Sequence, residues 1–451
     1  LTPKKMELLT DMGEFTALLM FPAVLGALFL GFPVALCLMG VALYFGIYNF
    51  GPPVIFQFVE KVGDIGGNYI LAAVPLFVFM GSMLERSGIA ERLFEAVHIW
   101  TKKLPGGLAI GTIIMCVIFA ASTGVIGATE TVVGLLAIPV MMKHQYNKGL
   151  ISGTICAGGS LGTIIPPSVV VVVLGPVADV SVGDLFLGMV FPGLIMAGCY
   201  MLYILVRCII RPQDGSLVAE DDVDLPLISK LRITIMALVP PVALIFAVLG
   251  SIMFGWAAPT EAAGMGAFGS LLLTIFYRTF SWPILLEALE KTLKVTCMIM
   301  LILLAGSIFS GVFIASGGVS LTSDLIEASN LGAWGTLALF LGISFLAGFI
   351  LEWISILLIF IPVFIPIVNA MGFDPVWFCI LFLIVIQTSY LTPPMAPAIF
   401  YLRGISPPEI KLNEMFLGVL PFIGLQVVTL IIVILFPETV LWLPDQMLGF
   451  K

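Results

Sequence analysis

Four stretches of the chain run without a charged side chain for longer than one bilayer crossing requires. Lys103 to Glu130 encloses 26 such residues, Lys148 to Asp179 encloses 30, Lys294 to Asp324 encloses 29 and Asp374 to Arg403 encloses 28. A membrane-spanning helix needs about 20 apolar residues. In lipid every backbone polar group has to be satisfied inside the protein, which favours helices. The expected fold class is an all-α polytopic membrane protein. Composition agrees, since 60% of the 451 residues are hydrophobic and 10% are charged, against about 25% charged in a soluble domain.

Two of these runs are interrupted by a proline pair. Gly162-Thr163-Ile164-Ile165-Pro166-Pro167-Ser168 interrupts one, and Ser389-Tyr390-Leu391-Thr392-Pro393-Pro394 interrupts another. Each pair removes two backbone donors and clashes with the preceding turn, so a helix is expected to stop there. Open backbone at that depth is tolerated only where protein buries it or where it lines a cavity. Matched breaks in two halves of a membrane protein point to a transport site.

Apolar spans fall at 15–31, 33–50, 67–84, 104–142, 149–178, 185–207, 233–254, 259–277, 295–316, 332–368, 376–402 and 414–436. The first reads as a membrane helix and not a cleaved leader, because Glu7, Asp11 and Glu14 dilute Lys4 and Lys5 and no small-x-small site follows. Spans 104–142 and 332–368 are too long for one helix. They read as helical hairpins that turn near Ser122-Thr123-Gly124 and Ala347-Gly348, with both ends on one side.

Charge tests that parity. With 207–232 in the cytoplasm and each hairpin counted as no net crossing, 15 of the 19 basic residues lie on the cytoplasmic side. Lys4, Lys5, Lys61 and Lys451 remain outside, beside acidic connectors that hold Asp179, Asp184, Asp324, Glu327, Asp374, Glu438 and Asp445. Excess Lys and Arg marks the cytoplasmic side, so both termini are expected on the other one.

A polar linker over 211–232, with the acidic run Glu220-Asp221-Asp222, divides the chain. Across it three landmarks recur in order. Ile138-Pro139-Val140 answers to Ile361-Pro362-Val363, Pro166-Pro167 to Pro393-Pro394, and Phe186-Leu187-Gly188 to Phe416-Leu417-Gly418, at separations of 223, 227 and 230 positions. The order marks an internal repeat. Because the two hairpins enter from opposite sides, the repeats are inverted, which is a transporter architecture. The organisation read is scaffold helices over 1–65, a first repeat over 66–210 with hairpin 104–142 and broken helix 149–178, and the linker 211–232. Scaffold helices over 233–294, a second repeat over 295–437 with hairpin 332–368 and broken helix 376–402, and a tail over 438–451 follow.

A helix broken at mid-membrane leaves carbonyls at one half-helix end, which suit a hard cation such as Na+. It leaves N–H groups at the other, which suit an anion. The first hairpin turn offers the hydroxyls of Ser122, Thr123 and Thr129, with Gly124 and Gly127 allowing close approach, and it faces Gly162, Thr163, Ile165 and Ser168. The second half offers Gly348 with Thr388, Ser389 and Thr392. Oxygen-only, charge-poor donors fit Na+ better than transition metals, which take His and Cys. The blander reading is that small residues let membrane helices approach; their clustering beside proline breaks favours function.

Glu130 and Glu352 sit within the hairpins, and a membrane carboxylate is a functional hypothesis by default. Glu130 is open to hydrogen bonding inside the bundle, to proton coupling or to a helix N-terminus; Glu352 is placed to cap the returning arm. Structural or gating roles are favoured for both, because a carboxylate repels an anionic substrate. Nothing suggests an enzyme. No G-x-x-x-x-G-K-[ST] loop for ATP is present, His98 and His144 fall in connectors, and the seven cysteines show no C-x-x-C. A net charge of −8 offers nucleic acid no basic footprint. Energy is expected from an ion gradient or from another subunit.

The run Ser122-Thr123-Gly124, Ala128-Thr129, Ile138-Pro139, the G-S-L-G-T-I-I-P-P-S segment, the F-x-x-G-F-I-L-E-W hairpin and the L-T-P-P-M break together resemble the large membrane subunit of TRAP (tripartite ATP-independent periplasmic) transporters. The resemblance extends in order over nearly the whole chain. It implies a Na+-driven importer of organic acids in a bacterial inner membrane, working by an elevator movement without ATP, which makes the charge-derived side of both termini the periplasmic one. It implies two partners, a small four-helix membrane subunit and a periplasmic substrate-binding protein. It implies Na+ sites where a hairpin tip meets a broken helix: Ser122 or Thr123 with Gly162, Ile165 and Pro167, and Gly348 with Thr388, Leu391 and Pro394. Several of these ligands are backbone carbonyls. Gly127, Thr129, Glu130, Thr163, Ser168, Glu352, Ser389 and Thr392 stand as substrate or gating residues. Glu352 replaces the Asp of many members, and Val125 and Ile126 replace hydroxyls of sialic-acid-type tips, which resembles the oxo-acid branch. The competing readings are a self-sufficient Na+/dicarboxylate symporter of the same architecture and a membrane scaffold subunit that does not transport.

Overall fold

The computed structural model describes residues 3–123, 126–215, 226–394 and 396–447, without the side chains of 3–15, 122, 123, 126 and 128. The regular elements among the described residues are helices. The amino-terminal part comprises α1 (Pro3–Phe29), α2 (Val34–Phe50), α3 (Val54–Gly67), α4 (Ala73–Glu85) and α5 (Ile89–Thr101). The first hairpin is α6 (Gly107–Thr123) with α7 (Ile126–Lys143), and the first broken helix is α8 (Lys148–Ser160) with α9 (Val169–Ala178). Then come α10 (Val182–Gly188), α11 (Val190–Ile210), α12 (Leu227–Met253), α13 (Pro259–Phe276), α14 (Trp282–Ala315) and α15 (Gly318–Ser329). The second hairpin is α16 (Gly332–Ala347) with α17 (Trp353–Ala370), and the second broken helix is α18 (Pro375–Leu391) with α19 (Pro397–Ile405). The chain continues through α20 (Leu412–Leu435) and α21 (Glu438–Met447).

Local chemistry explains where the key helices start and stop. Asn147 caps α8 by accepting from the Leu150 N–H, and Asp374 caps α18 by accepting from Val376 and Trp377, with Pro375 at the first helical position. Both are strong start signals. At the first break, α8 tightens into a 3-10 turn over Leu161–Thr163, and Ser168 is extended before α9 begins. At the second, Thr392 is extended (φ −86°, ψ 130°), as a residue before proline prefers. Pro166-Pro167 and Pro393-Pro394 are both cis. Another pair, Pro240-Pro241, lies inside α12, and the helix continues through it. A proline pair alone therefore does not stop a membrane helix.

Among the described residues five helices are long and apolar enough to cross a bilayer, or six if Val54–Gly67 and Tyr69–Glu85, bent by 55°, form one span. The hairpin and broken-helix segments α6, α9, α16 and α18 are shorter apolar helices. Polar-faced helices appear where the sequence suggests connectors, in α3, α5, α15 and α21; the last covers most of the expected tail and packs on α10, α11, α18 and α20.

The two halves interlock by exchange. The returning arm of the first hairpin, α7, packs on α19 of the second broken helix, and α17 of the second hairpin packs on α9 of the first. The halves also meet where α8 crosses α20 and α18. The α8–α20 crossing is glycine-lined. A Cβ on Gly153 would strike the Gly418 carbonyl, and a Cβ on Gly418 would strike Gly149. Close approach through small residues is how helices gain contact in lipid. On the other side α4 packs against α13 and α14, and α14 against α2. Gly418→Val is expected to lower stability by about 1–3 kcal/mol through overpacking. Gly424→Val on the same helix, with open space around it, is expected to leave the detergent melting temperature unchanged. Equal melting curves for the two variants would contradict the crossing.

Candidate functional site

A cavity of about 630 Å³ lies between the hairpins and the α2–α4–α14 wall. Five helices present their N-terminal ends to it, α2 at Val34 and four others, and two present C-terminal ends, α16 at its cap Gly348 and α18 at Ser389 and Tyr390. The α7 start contributes Gly127 and Thr131, α9 contributes Val169 and Val170, α17 contributes Trp353 and Ile354 with Glu352 as its N-cap, and α19 contributes Pro397 and Tyr401. These are the returning halves of both hairpins and of both broken helices. Each N-terminus carries roughly half a positive elementary charge and unsatisfied N–H groups. The opposite wall holds Val34, Val78, Glu85, Lys291, Val295, Met298 and Ile299. Lys291 and Glu85 are ion-paired across α14 and α4, so their charges offset each other.

At the second proposed ion site the structure brings the hairpin tip against Ser389. Gly348 caps the end of α16, and a Cβ there would strike Ser389 Oγ and Cβ, so the hairpin tip rests directly on the break. Thr388 Oγ1 donates to Ile384 O at 2.8 Å, Ser389 Oγ to Ile386 O at 2.7 Å, and Thr392 Oγ1 to Thr388 O at 2.7 Å. A donating hydroxyl keeps its lone pairs, so these oxygens fit a hard cation. Leu391 is buried at the end of α18, and Pro394 is exposed within the break.

At the first site, α6 and α7 both pack on the 3-10 turn that holds Gly162 and Thr163. Ile165 and Pro167 are buried beside it. The backbone of Ser122 and Thr123 ends α6, but their side chains lie outside the described residues, as do Gly124 and Val125. Ser168 is the buried N-cap of α9, and its Oγ has no hydrogen-bond partner among the described residues.

The two carboxylates differ. Glu352 is exposed to the cavity as the N-cap of α17, where a negative charge meets the positive end of the helix. Glu130 is 0% exposed, and neither of its carboxyl oxygens has a hydrogen-bond partner among the described residues. Its space comes from Gly159 on α8, where a Cβ would strike Glu130 Cγ. Thr129 is buried next to it, and the Tyr401 ring lies 3.1 Å from where a Cβ on Gly127 would stand. The sequence reading passed over Tyr390, Tyr401, Lys291 and Glu85, all on the cavity wall. Lys291 registered only as a cytoplasmic charge, and Tyr390 only as part of the break phrase.

Residues 21–439 match the family model described as the DctM component of the tripartite ATP-independent periplasmic transporter. The chain is 28% identical over 427 residues to the sialic acid TRAP transporter large permease protein SiaM of Vibrio cholerae, covering 94% of this chain and 98% of that protein. It is 29% identical over 401 residues to the C4-dicarboxylate TRAP transporter large permease protein DctM of Pseudomonas aeruginosa, covering 88% and 92%. Its fold is similar to that of the YdaH transporter of Alcanivorax borkumensis, with a TM-score of 0.57 at 17% identity over 88% of this chain and 89% of that one.

The Gly159–Glu130 contact generates a prediction. Gly159→Ala is expected to cost about 1–3 kcal/mol, and Glu130→Ala in the same chain is expected to recover most of it. Unfolding of the four proteins of this cycle measures the coupling; strictly additive losses would contradict the contact.

Proposed function

Since the chain belongs to the DctM component family of tripartite ATP-independent periplasmic transporters, we propose that it is the large membrane subunit of a Na+-coupled importer of organic acids that depends on a binding protein. It is a multi-pass membrane permease and not an enzyme, as its named relatives are. The observation that carries the substrate reading is the convergence of five helix N-termini on one cavity. Five N-terminal ends at roughly half a positive charge each slightly outweigh the C-terminal ends of α16 and α18 together with the negative charge of Glu352, while Lys291 and Glu85 offset each other. The balance favours a carboxylate. Most of the remaining lining is Val, Ile, Leu and Met, which favours an acid with an apolar body, in keeping with the oxo-acid branch.

The two hairpin–break junctions support Na+ as the coupling ion. The residues proposed to hold it are Ser122 or Thr123 with Gly162, Ile165 and Pro167, and Gly348 with Thr388, Leu391 and Pro394. Ions bound there add positive charge beside the cavity and so raise its affinity for the acid. The exchange packing of hairpins and broken helices supports one moving body, and the cavity's position at its boundary with α2, α4 and α14 supports an elevator movement. A small membrane subunit and a periplasmic binding protein complete the importer in the inner membrane, with both termini periplasmic.

Reconstitution tests this reading. Uptake of a carboxylate is expected only with a small subunit, a binding protein and an inward Na+ gradient together. Uptake by this chain alone would overturn the tripartite reading, and uptake indifferent to Na+ would overturn the coupling. Gly348→Val, which crowds Ser389, is expected to raise the Na+ requirement by about tenfold, the equivalent of roughly 1.4 kcal/mol.

A further inference from the structure

The two proline breaks are joined through buried side chains. Gln387 on α18 is 0% exposed. Its Oε1 accepts from Thr163 Oγ1 at 3.1 Å, and its Nε2 donates to Ser160 Oγ at 3.1 Å and lies 3.2 Å from Met196 Sδ. The single Thr163 hydroxyl proton is shared between Gln387 Oε1 and Ser160 O, the latter at 2.8 Å. Ser160 Oγ donates to Ala157 O at 2.8 Å and lies 3.4 Å from Gln426 Nε2. Ser160, Thr163 and Gln426 are all buried.

The repeat explains this arrangement. The separation of 227 positions that relates the two proline pairs carries Ser160 onto Gln387. The separation of 230 that relates Phe186 to Phe416 carries Met196 onto Gln426. The Gln387–Met196 and Ser160–Gln426 contacts are therefore counterparts, and the cluster sits where the inverted repeats meet. Thr163 lies between Gly162 and Ile165 of the first junction. Gln387 directly precedes Thr388 and Ser389 of the second. A shift at one break thus reaches the other through the hydrogen bonds of Gln387 to Thr163 and Ser160. A buried amide is costly to leave unpaired, so the two breaks have strong reason to shift together.

We propose that the Thr163–Gln387 bond couples the two cation junctions, so that Na+ at one raises Na+ affinity at the other. This rests on the reading that both junctions bind Na+. Gln387 is a positioning residue, since it acts through Thr388 on one side and Thr163 on the other. The coupling is reciprocal, as equilibrium linkage requires.

The test is equilibrium binding of radioactive Na+ to the purified full-length chain. The wild type is expected to bind cooperatively, with a Hill coefficient above unity. Thr163→Val, which keeps the volume and removes the hydroxyl, is expected to bind the same total Na+ with a Hill coefficient of unity, and Thr163→Ser to restore cooperativity. Gln387→Leu is expected to match Thr163→Val, which carries the test alone if the larger change disturbs folding. A folded Thr163→Val protein that still binds cooperatively would overturn the coupling, as would a non-cooperative wild type. A wild type that binds no Na+ would instead overturn the Na+ reading itself, and the coupling with it.

Discussion

Every N–H and C=O of this chain inside the bilayer needs a partner that lipid does not supply, and the two broken helices create groups their own helices leave open. The fold can be understood as the answer to that deficit. Each break is covered by a hairpin, by α6 and α7 on the Leu161–Thr163 turn and by Gly348 on Ser389. The returning arms then cross to the opposite repeat, α7 to α19 and α17 to α9. Each repeat thus closes the other, and neither half has a complete surface on its own.

The same arrangement sorts charge. The C-terminal ends of α16 and α18 meet with the Ser389 hydroxyl at one edge of the cavity, and the N-terminal ends of α7, α9, α17 and α19 face the same cavity. The proposed cation junctions and the proposed acid site therefore lie side by side within one interlocked body. Such adjacency makes the affinity for an anion depend on bound cations, which is the thermodynamic core of symport. The polar cluster around Gln387 joins the two breaks where the repeats meet.

Much of this was legible because proline, glycine and charge act locally. Charge-free runs set the membrane class, and the hairpins fall at α6–α7 and α16–α17, close to the spans 104–142 and 332–368. Proline pairs were a weaker guide than their chemistry suggests, since Pro240-Pro241 sits in a continuous helix; the two true breaks differ in their neighbouring Gly, Ser and Thr. Helices α3 and α5 were hidden because residues such as Glu60, Lys61, Glu91 and Arg92 break up an apolar window while leaving an apolar face intact. For the same reason α14 starts at Trp282 and not near 295: Lys294 pairs with Glu290 at 2.6 Å and Arg86 with Glu287 at 3.2 Å within its first turns. The Gly159–Glu130 contact depends on the register between the consecutive helices α7 and α8, and the Thr163–Gln387 contact joins residues 224 positions apart; no local signal encodes either.

The central claim is that a carboxylate binds where the four N-termini meet, with Na+ at the two adjoining junctions. A structure determined with Na+ and a carboxylate ligand bound tests it most directly. The account predicts the carboxylate within hydrogen-bond reach of the N–H groups that open α7, α9, α17 or α19, and ion density beside Gly162 and beside Gly348. A carboxylate held by Lys291 on the α14 wall, with neither junction occupied by an ion, would contradict it.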